Sequence, residues 1–215
     1  DYTRTDPAKV MTESGSVEAR FIVLGCNGYL GKLERRVAGR IMPINNFMIA
    51  TEPLGESAAR ALITDRNCVH DTRFVVNYFR TSADHRLLFG GGENYRPGFP
   101  RDIAAFVRPY MLELFPHLAD ARIDYAWGGT LSVTVKRFPQ VGRLEPNLFF
   151  AHGYSGHGIS IANIAGKIIA EAIAGTAERF DVMAGIKALP FPGGTLLRYP
   201  GMVLGMLYYS LKDKL

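Results

Sequence analysis

The residues best able to do chemistry stand together in His152-Gly153-Tyr154-Ser155-Gly156-His157-Gly158, between the apolar run Asn147–Ala151 and a stretch of small and apolar residues from Ile159 to Ala174. A glycine loop that feeds a helix start leaves backbone N–H groups unpaired, and the helix dipole makes that spot attractive to negative charge. Gly153, Gly156 and Gly158 also remove side chains that would keep a flat or bulky ligand away. The pattern points to an anion or an electron-rich ring at the amino end of the helix; a loop that merely needs permissive turns is the other reading of the same glycines. His157 stands where it would line such a ligand; a bond that only holds the loop is its other reading. The run Gly153-Tyr-Ser155-Gly-His157 misses the hydrolase pattern G-x-S-x-G by its last residue, which argues against a serine nucleophile. The five histidines show neither H-x-x-x-H spacing nor a Cys/His cluster, so no metal site is expected.

These residues need a frame. Asn147–Ala151 reads as a short apolar strand and Ile159–Ala174 as a helix buried except for one polar stripe, Ser160, Asn163, Lys167 and Glu171, with Gly175 as its stop. A second strand–turn unit lies near the start. Val10–Glu13 and Val17–Leu24 read as a hairpin around Ser14-Gly15, and the unbroken run Phe21–Leu24 predicts a parallel strand covered on both faces. The turn Gly25-Cys26-Asn27-Gly28 then falls at the carboxyl end of that strand, where ligands sit in open α/β sheets.

The middle is different. Ile44–Thr51, Arg73–Arg80, Arg86–Phe89, Ile123–Trp127 and Leu131–Lys136 read as strands, the last two separated by Gly128-Gly129. Glu56–Ile63 reads as a short helix, and Asp102–Phe115 as a helix with Ile103, Val107, Leu114 and Leu118 near one face and Pro109 as a kink. Most of these strands follow one another without helices between, so a mainly antiparallel sheet is expected.

Composition bounds the function. The 215 residues carry 25 Lys+Arg and 20 Asp+Glu, a net charge of +5, with both signs scattered and no basic block, so no nucleic-acid surface is expected. Two cysteines, Cys26 and Cys68, cannot form a disulfide framework; packed thiols in a reducing, cytoplasmic setting are expected. No signal peptide opens the chain, and the first residues read as the interior of a longer polypeptide. The apolar tail Gly201–Leu211, followed by Lys212 and Lys214, is too short to span a bilayer; packing on the protein body is expected ahead of contact with a membrane surface.

Five stretches, taken in order, resemble the D-amino-acid oxidase/sarcosine oxidase superfamily of FAD enzymes, in its carboxyl-terminal portion. They are Ala19-x-x-Ile22-Val-Leu-x-x-Asn27-Gly-Tyr29, Asn45–Pro53, Trp127-Gly-Gly-Thr130, Thr134-x-x-Arg-x-Pro139-x-x-Gly142 and Gly153–Gly158. The strand Asn77-Tyr-Phe-Arg80, Leu88–Gly92 and Phe191-Pro-Gly-Gly194 are most similar to the gamma-glutamylputrescine oxidase-type branch. The resemblance implies an α/β fold with an α+β substrate part. A partial FAD-binding, Rossmann-like domain at residues 1–38 and 128–185 is interleaved with a mostly antiparallel substrate-domain sheet at 39–127, and a tail occupies 186–215.

Roles follow by position. Asn27 and Gly28 would lie beside the dinucleotide part of FAD; Thr134, Pro139 and Gly142 would border the flavin. Gly153, Tyr154, Ser155, Gly156, His157, Gly158 and Ile159 would face the pyrimidine edge of the isoalloxazine, where negative charge develops on reduction. Asn77, Tyr78 and Arg80 would contact substrate, with Arg80 either pairing a carboxylate or facing water. The activity implied is oxidation of a C–N bond of a small amine or amino acid. The Gly-x-Gly-x-x-Gly turn that holds ADP in this superfamily is absent, so a missing amino-terminal half or a partner subunit is expected. No cysteine lies near Gly129–Thr134, which implies noncovalent FAD. Two further readings stand beside this one: an inert fragment or subunit, and a flavoprotein or NAD(P)H reductase of another family.

Overall fold

Apolar alternation in the strands and glycine or proline punctuation between them resolve, in the computed structural model, into ten strands and six helices among residues 1–73, 76–94 and 98–212, the residues the structure describes. In chain order these are β1 (Ala8–Thr12), β2 (Gly15–Ala19), β3 (Ile22–Leu24), α1 (Arg35–Ala38), β4 (Met42–Thr51), α2 (Glu56–Leu62), β5 (Val69–His70), β6 (Tyr78–Thr81) and β7 (Leu87–Asn94). Then come α3 (Ile103–Leu114), β8 (Ile123–Val133), β9 (Gln140–Glu145), β10 (Leu148–His152), α4 (Gly158–Ile173), α5 (Glu178–Ala184) and α6 (Gly194–Lys212). The chain divides into two units: Asp1–Pro43 with Leu131–Tyr199, and Ile44–Thr130 with the residues from Pro200 onward.

In the first unit the sheet order is β3-β10-β9, with β10 parallel to β3 and antiparallel to β9. All five residues of β10 are buried, because this central strand has a core on each face. Leu148 and Phe150 pack with Ile22, Leu24, Leu30, Val37 and Ile41 on one side. Phe149 and Ala151 pack with Val141, Ala165, Ile168, Ile169 and Phe180 on the other. The parallel pairing expected of Phe21–Leu24 is present. Its cover on both faces is not: Ile22 and Leu24 are buried, but Val23 is 49% exposed, since β3 is the edge strand with a core on one side only. The hairpin is β1–β2, with Thr12 opposite Gly15 and Glu13-Ser14 at the turn, and β3 is a separate strand rather than its extension.

α4 also departs from expectation. Only Ala165, Ile168 and Ile169 are buried, one line at helical spacing against β10, while Ile159 is 92% and Ile164 54% exposed. A helix laid on one sheet face buries one stripe, and its small residues do not change that. Beneath the sheet, the Glu34 carboxylate caps α1 through Arg36 N–H at 2.8 Å and also accepts from the Arg36 and Arg4 guanidinium groups and the Tyr2 hydroxyl.

In the second unit the order is β5-β6-β7-β4-β8, and the β5–β6, β6–β7 and β4–β7 pairs are antiparallel. Phe47, Ile49, Leu87 and Phe89 meet Val107, Met111 and Phe115 from α3 and the turn after it. Phe79 stacks on Phe89 at 5.8 Å and meets Phe115 edge-on at 5.1 Å. Asp102 caps α3 through Ala105 N–H at 2.8 Å, and Pro109 lies inside the helix. The buried line is Val107, Met111 and Phe115; Leu114 is exposed, because the helix turns it one position past that line.

Gly128 and Gly129 do not separate two strands but lie inside β8: a methyl group on Gly128 would sit 2.7 Å from Phe47 Cδ1, so the glycine lets β8 lie against that ring. Gly90–Gly92 likewise run within β7. The expected strand Arg73–Arg80 begins at Tyr78; Phe74 and Val75 lie outside the described residues. Cys26 is half-buried, and Cys68 is exposed rather than packed, on a segment ahead of the two-residue strand β5 with no core beneath it. The tail is helical, and Leu204 and Tyr208 are 69% and 63% exposed; the side chains at 206, 207 and 209–211 lie outside the described residues. Lys214 lies outside the described residues. Among the described residues no helix is long and apolar enough to cross a membrane, and no cluster of His, Cys, Asp and Glu is suited to a metal ion.

Candidate functional site

The site begins where β10 ends. Gly153 follows with φ +74°, and a methyl group there would lie 2.4 Å from Thr134 Cγ2. Only glycine accepts both that backbone and that neighbour. The Gly153 N–H donates to Ser132 Oγ at 2.9 Å and to Asn27 Oδ1 at 3.1 Å, while Ser132 Oγ donates to the same Asn27 oxygen at 2.5 Å. Asn27, at φ 46°, opens the short 3-10 turn after β3; its side chain bonds locally and tolerates this left-handed backbone. Ser155 adds a second tie: its N–H donates to the Ser132 carbonyl at 2.9 Å, and its hydroxyl donates to the Gly153 carbonyl at 3.2 Å while accepting from Thr134 N–H. The Thr134 hydroxyl closes the following turn on the Phe138 carbonyl at 2.7 Å.

Beyond these ties the loop opens. Gly156, at φ +96°, has open space where a side chain would be. His157 precedes α4 without a side-chain capping bond and is exposed. The first intrahelical bond runs from Ile161 N–H to the His157 carbonyl at 3.2 Å. The N–H groups of Gly158, Ile159 and Ser160 therefore have no acceptor within the helix. Among the described residues none comes within 4 Å of where a Gly156 side chain would begin, and Gly156, His157 and Ile159 are exposed at the positive end of a 16-residue helix.

Of the residues expected at a site, Asn27, Thr134, Gly153 and Ser155 are brought into one bonded cluster, although they come from stretches more than 100 residues apart. Gly28 sits in the turn with Asn27, and Pro139 directly follows the turn that Thr134 closes on Phe138. Gly156, His157, Gly158 and Ile159 form the open rim. Tyr154 instead packs toward the α4 core, its hydroxyl donating to the Ala151 carbonyl at 3.2 Å and its pKa raised by burial. Gly142 makes room for Phe150, whose ring would be 2.6 Å from a methyl group there. Lys136 is exposed.

Ser132 and Gln140 escaped the sequence reading, and His152, which opens the glycine stretch there, was given no role of its own. The only available signal for Ser132 was its place two residues before Thr134 on one strand, hence on one face. Burial lowers the pKa of His152 to about 4, so the imidazole is neutral at neutral pH.

In the second unit, the Tyr78 hydroxyl donates to Asn46 Oδ1, and Gly90 makes this pairing fit: a methyl group there would lie 2.1 Å from the Tyr78 ring. Arg80 is two residues along the strand and exposed. Asn77 is buried and closes a loop, donating to the Asp71 carboxylate through its N–H and its amide at 3.1 and 2.9 Å.

Replacing Asn27 by alanine removes the shared acceptor of Gly153 and Ser132 and leaves a side chain that does not favour φ 46°. The expected cost is about 2 kcal/mol, a fall of roughly 4–8 °C in Tm for a chain of this size, measured by thermal unfolding. A fall under 1 °C would show that Asn27 does not hold the loop.

The family described as DAO, FAD dependent oxidoreductase, matches residues 2–172. Gamma-glutamylputrescine oxidoreductase of Escherichia coli (strain K12) is 45% identical over 212 residues, covering 98% of this chain and 50% of its own length. A probable oxidoreductase, OrdL, of Rhizobium meliloti (strain 1021) is 40% identical over 205 residues, covering 95% of this chain and 47% of its own. The crystal structure of glycine oxidase from Geobacillus kaustophilus superposes with a TM-score of 0.62 at 18% identity, over 78% of this chain and 45% of that one, a likeness of fold. The chain spans about half the length of the curated relatives it matches.

Proposed function

This chain belongs to the DAO family of FAD-dependent oxidoreductases, and on that premise we propose that it carries the flavin-facing loop and the substrate sheet of an enzyme that oxidises a C–N bond of a small amine or amino acid. The observation that carries the reading is the open start of α4: a loop clamped from behind by Asn27, Ser132, Thr134 and Ser155, with Gly156 leaving the front clear. When bound, FAD supplies the two-electron acceptor for the substrate carbon next to nitrogen. The N–H groups of Gly158, Ile159 and Ser160, with the helix dipole, stabilise the negative charge that reduction places on the pyrimidine edge. Binding is noncovalent in this reading, supported by the lack of a cysteine near Gly129–Thr134. Tyr78, fixed by Asn46 over Gly90, and exposed Arg80 offer a hydroxyl and a cation to an amino acid or a carboxylate-bearing amine. The free Cys26 and Cys68 favour a reducing, cytoplasmic setting.

The dinucleotide half of FAD finds no Gly-x-Gly-x-x-Gly turn here. We therefore assign that contact to polypeptide outside this chain. The half-length match and the exposure of Val23 on the edge strand and of Ile159 and Ile164 on α4 support that assignment. Left alone, the chain is the inert half described by the second reading.

The test uses the protein that joins this chain to its dinucleotide-binding stretch. It should purify yellow and be bleached anaerobically by an amine or amino acid; bleaching by NAD(P)H alone would overturn the oxidase reading. Gly158→Ala is the cleaner probe of the loop, because its methyl group meets the Tyr154 ring at an ordinary 3.6 Å. Folding should be unchanged and flavin affinity should fall at least about tenfold, the size of a lost close approach at a charged edge. Unchanged affinity would remove α4 from the flavin site.

A further inference from the structure

His152 ends β10, and Gln140, directly opposite in the antiparallel register, begins β9. Both side chains lie on the sheet face that carries Leu148 and Phe150, because residues two apart share a face. His152 is wholly buried and stacks on Phe150, ring centroids 6.1 Å apart. Both of its ring nitrogens and Gln140 Oε1 are sealed from solvent, with no hydrogen-bond partner among the described residues. Two polar side chains set opposite each other within an apolar core are not a packing solution: a leucine and a methionine would fill the space without the desolvation cost of three unpaired polar atoms.

We propose that His152 and Gln140 form a buried binding site for one small group that both donates and accepts hydrogen bonds, and that this group is a water molecule. A neutral imidazole offers one N–H and one bare nitrogen, and Gln140 Oε1 only accepts. A water accepts the imidazole N–H and donates to Gln140 Oε1, so that it pairs two of the three sealed atoms and bridges two strands at the residue from which the glycine loop departs. A larger ligand is disfavoured because none of the three atoms is open to solvent. The bridge stands apart from the cofactor reading, since it is internal to β9 and β10 and requires no flavin.

The test is a double-mutant cycle in urea on the flavin-free chain, at pH 7.5, where His152 is neutral, with His152→Phe, Gln140→Met and the two combined. A bridging water couples the residues: each single change should strand the other partner and lower the folding equilibrium constant at least about tenfold, and the double change should cost no more than either single one. Two independent unpaired groups behave in the opposite way, each single change leaving stability the same or higher and the effects multiplying; that result overturns the site. The unmodified chain carries a second reading should a variant fail to fold. In nitrogen-edited NMR spectra the His152 ring N–H should be protected from exchange and show a cross-relaxation peak to water. A ring proton lost to fast exchange, or one visible without such a peak, overturns the site equally.

Discussion

Gly153→Ala is expected to cost about 2–5 kcal/mol of stability and to abolish flavin retention in the complete enzyme. Two effects add. An alanine at φ +74° enters left-handed space at about 1–2 kcal/mol. Its methyl group, 2.4 Å from Thr134 Cγ2, must displace a buried side chain whose hydroxyl holds the Phe138 carbonyl, an overpacking cost of about 1–3 kcal/mol. The relief available is a shift of the loop away from Thr134, which draws the Gly153 N–H off Ser132 and Asn27 and changes where α4 begins. Urea unfolding reads the first part and flavin content of the purified enzyme the second. Stability within 0.5 kcal/mol of the parent, or full flavin content, would show that the clamp is not what shapes the loop. Set beside Gly158→Ala, which should lower flavin affinity without touching stability, the pair separates building the loop from using it.

Acid should destabilise the first unit in two separable steps. His152 normally titrates near 6.5 but is held by burial at about 4. Between those values the unfolded chain takes up a proton that the folded chain refuses, so stability is complete above pH 6.5 and falls as pH drops toward 4, by up to about 3 kcal/mol. Glu34 follows lower down. Burial pushes its carboxyl upward, but hydrogen bonds from Arg36 and Tyr2 outweigh that and hold it at about 2, against a usual 4.5. Its contribution is present above pH 4.5 and is lost as pH falls toward 2. The ceiling is again about 3 kcal/mol, reduced toward 2 because the Arg36 and Arg4 partners are half-exposed. Urea midpoints measured from pH 7.5 to 2.5 should decline across both windows. His152→Phe should flatten only the upper window and Glu34→Gln only the lower, whatever either does to stability at neutral pH. Midpoints that hold constant from pH 7 to 4.5 would contradict the burial of a neutral imidazole.

The two steps bear on function as well as stability. His152 is the residue before the glycine loop, and Glu34 ties the amino-terminal segment to α1 and, through Arg36, to Glu145 at the end of β9. Flavin retention in the complete enzyme should therefore weaken in the upper window, ahead of global unfolding, because the first group to titrate stands at the root of the loop.

What the sequence determined by itself was local. The strand Leu148–His152, the glycines after it and the helix from Gly158 follow from residue types within a span of some 25 positions: an apolar run, turns that only glycine accepts, then small and apolar residues at helical spacing. The family was legible for a related reason, since motif order survives without knowledge of what the motifs touch. Interaction across the chain was not legible. That Gly128 makes room for Phe47, that Gly90 makes room for Tyr78, and that Ser132 rather than a loop residue anchors Gly153 all depend on which strand lies beside which. The burial of α4 was misjudged in the same way, because amphipathicity tells a helix which face can be buried but not how many neighbours it will have. The opposition of His152 to Gln140 is the sharpest case: twelve residues apart and unconnected in the sequence, they become a pair only through the register of β9 on β10, where a slip of one residue would turn one of them to the other face of the sheet.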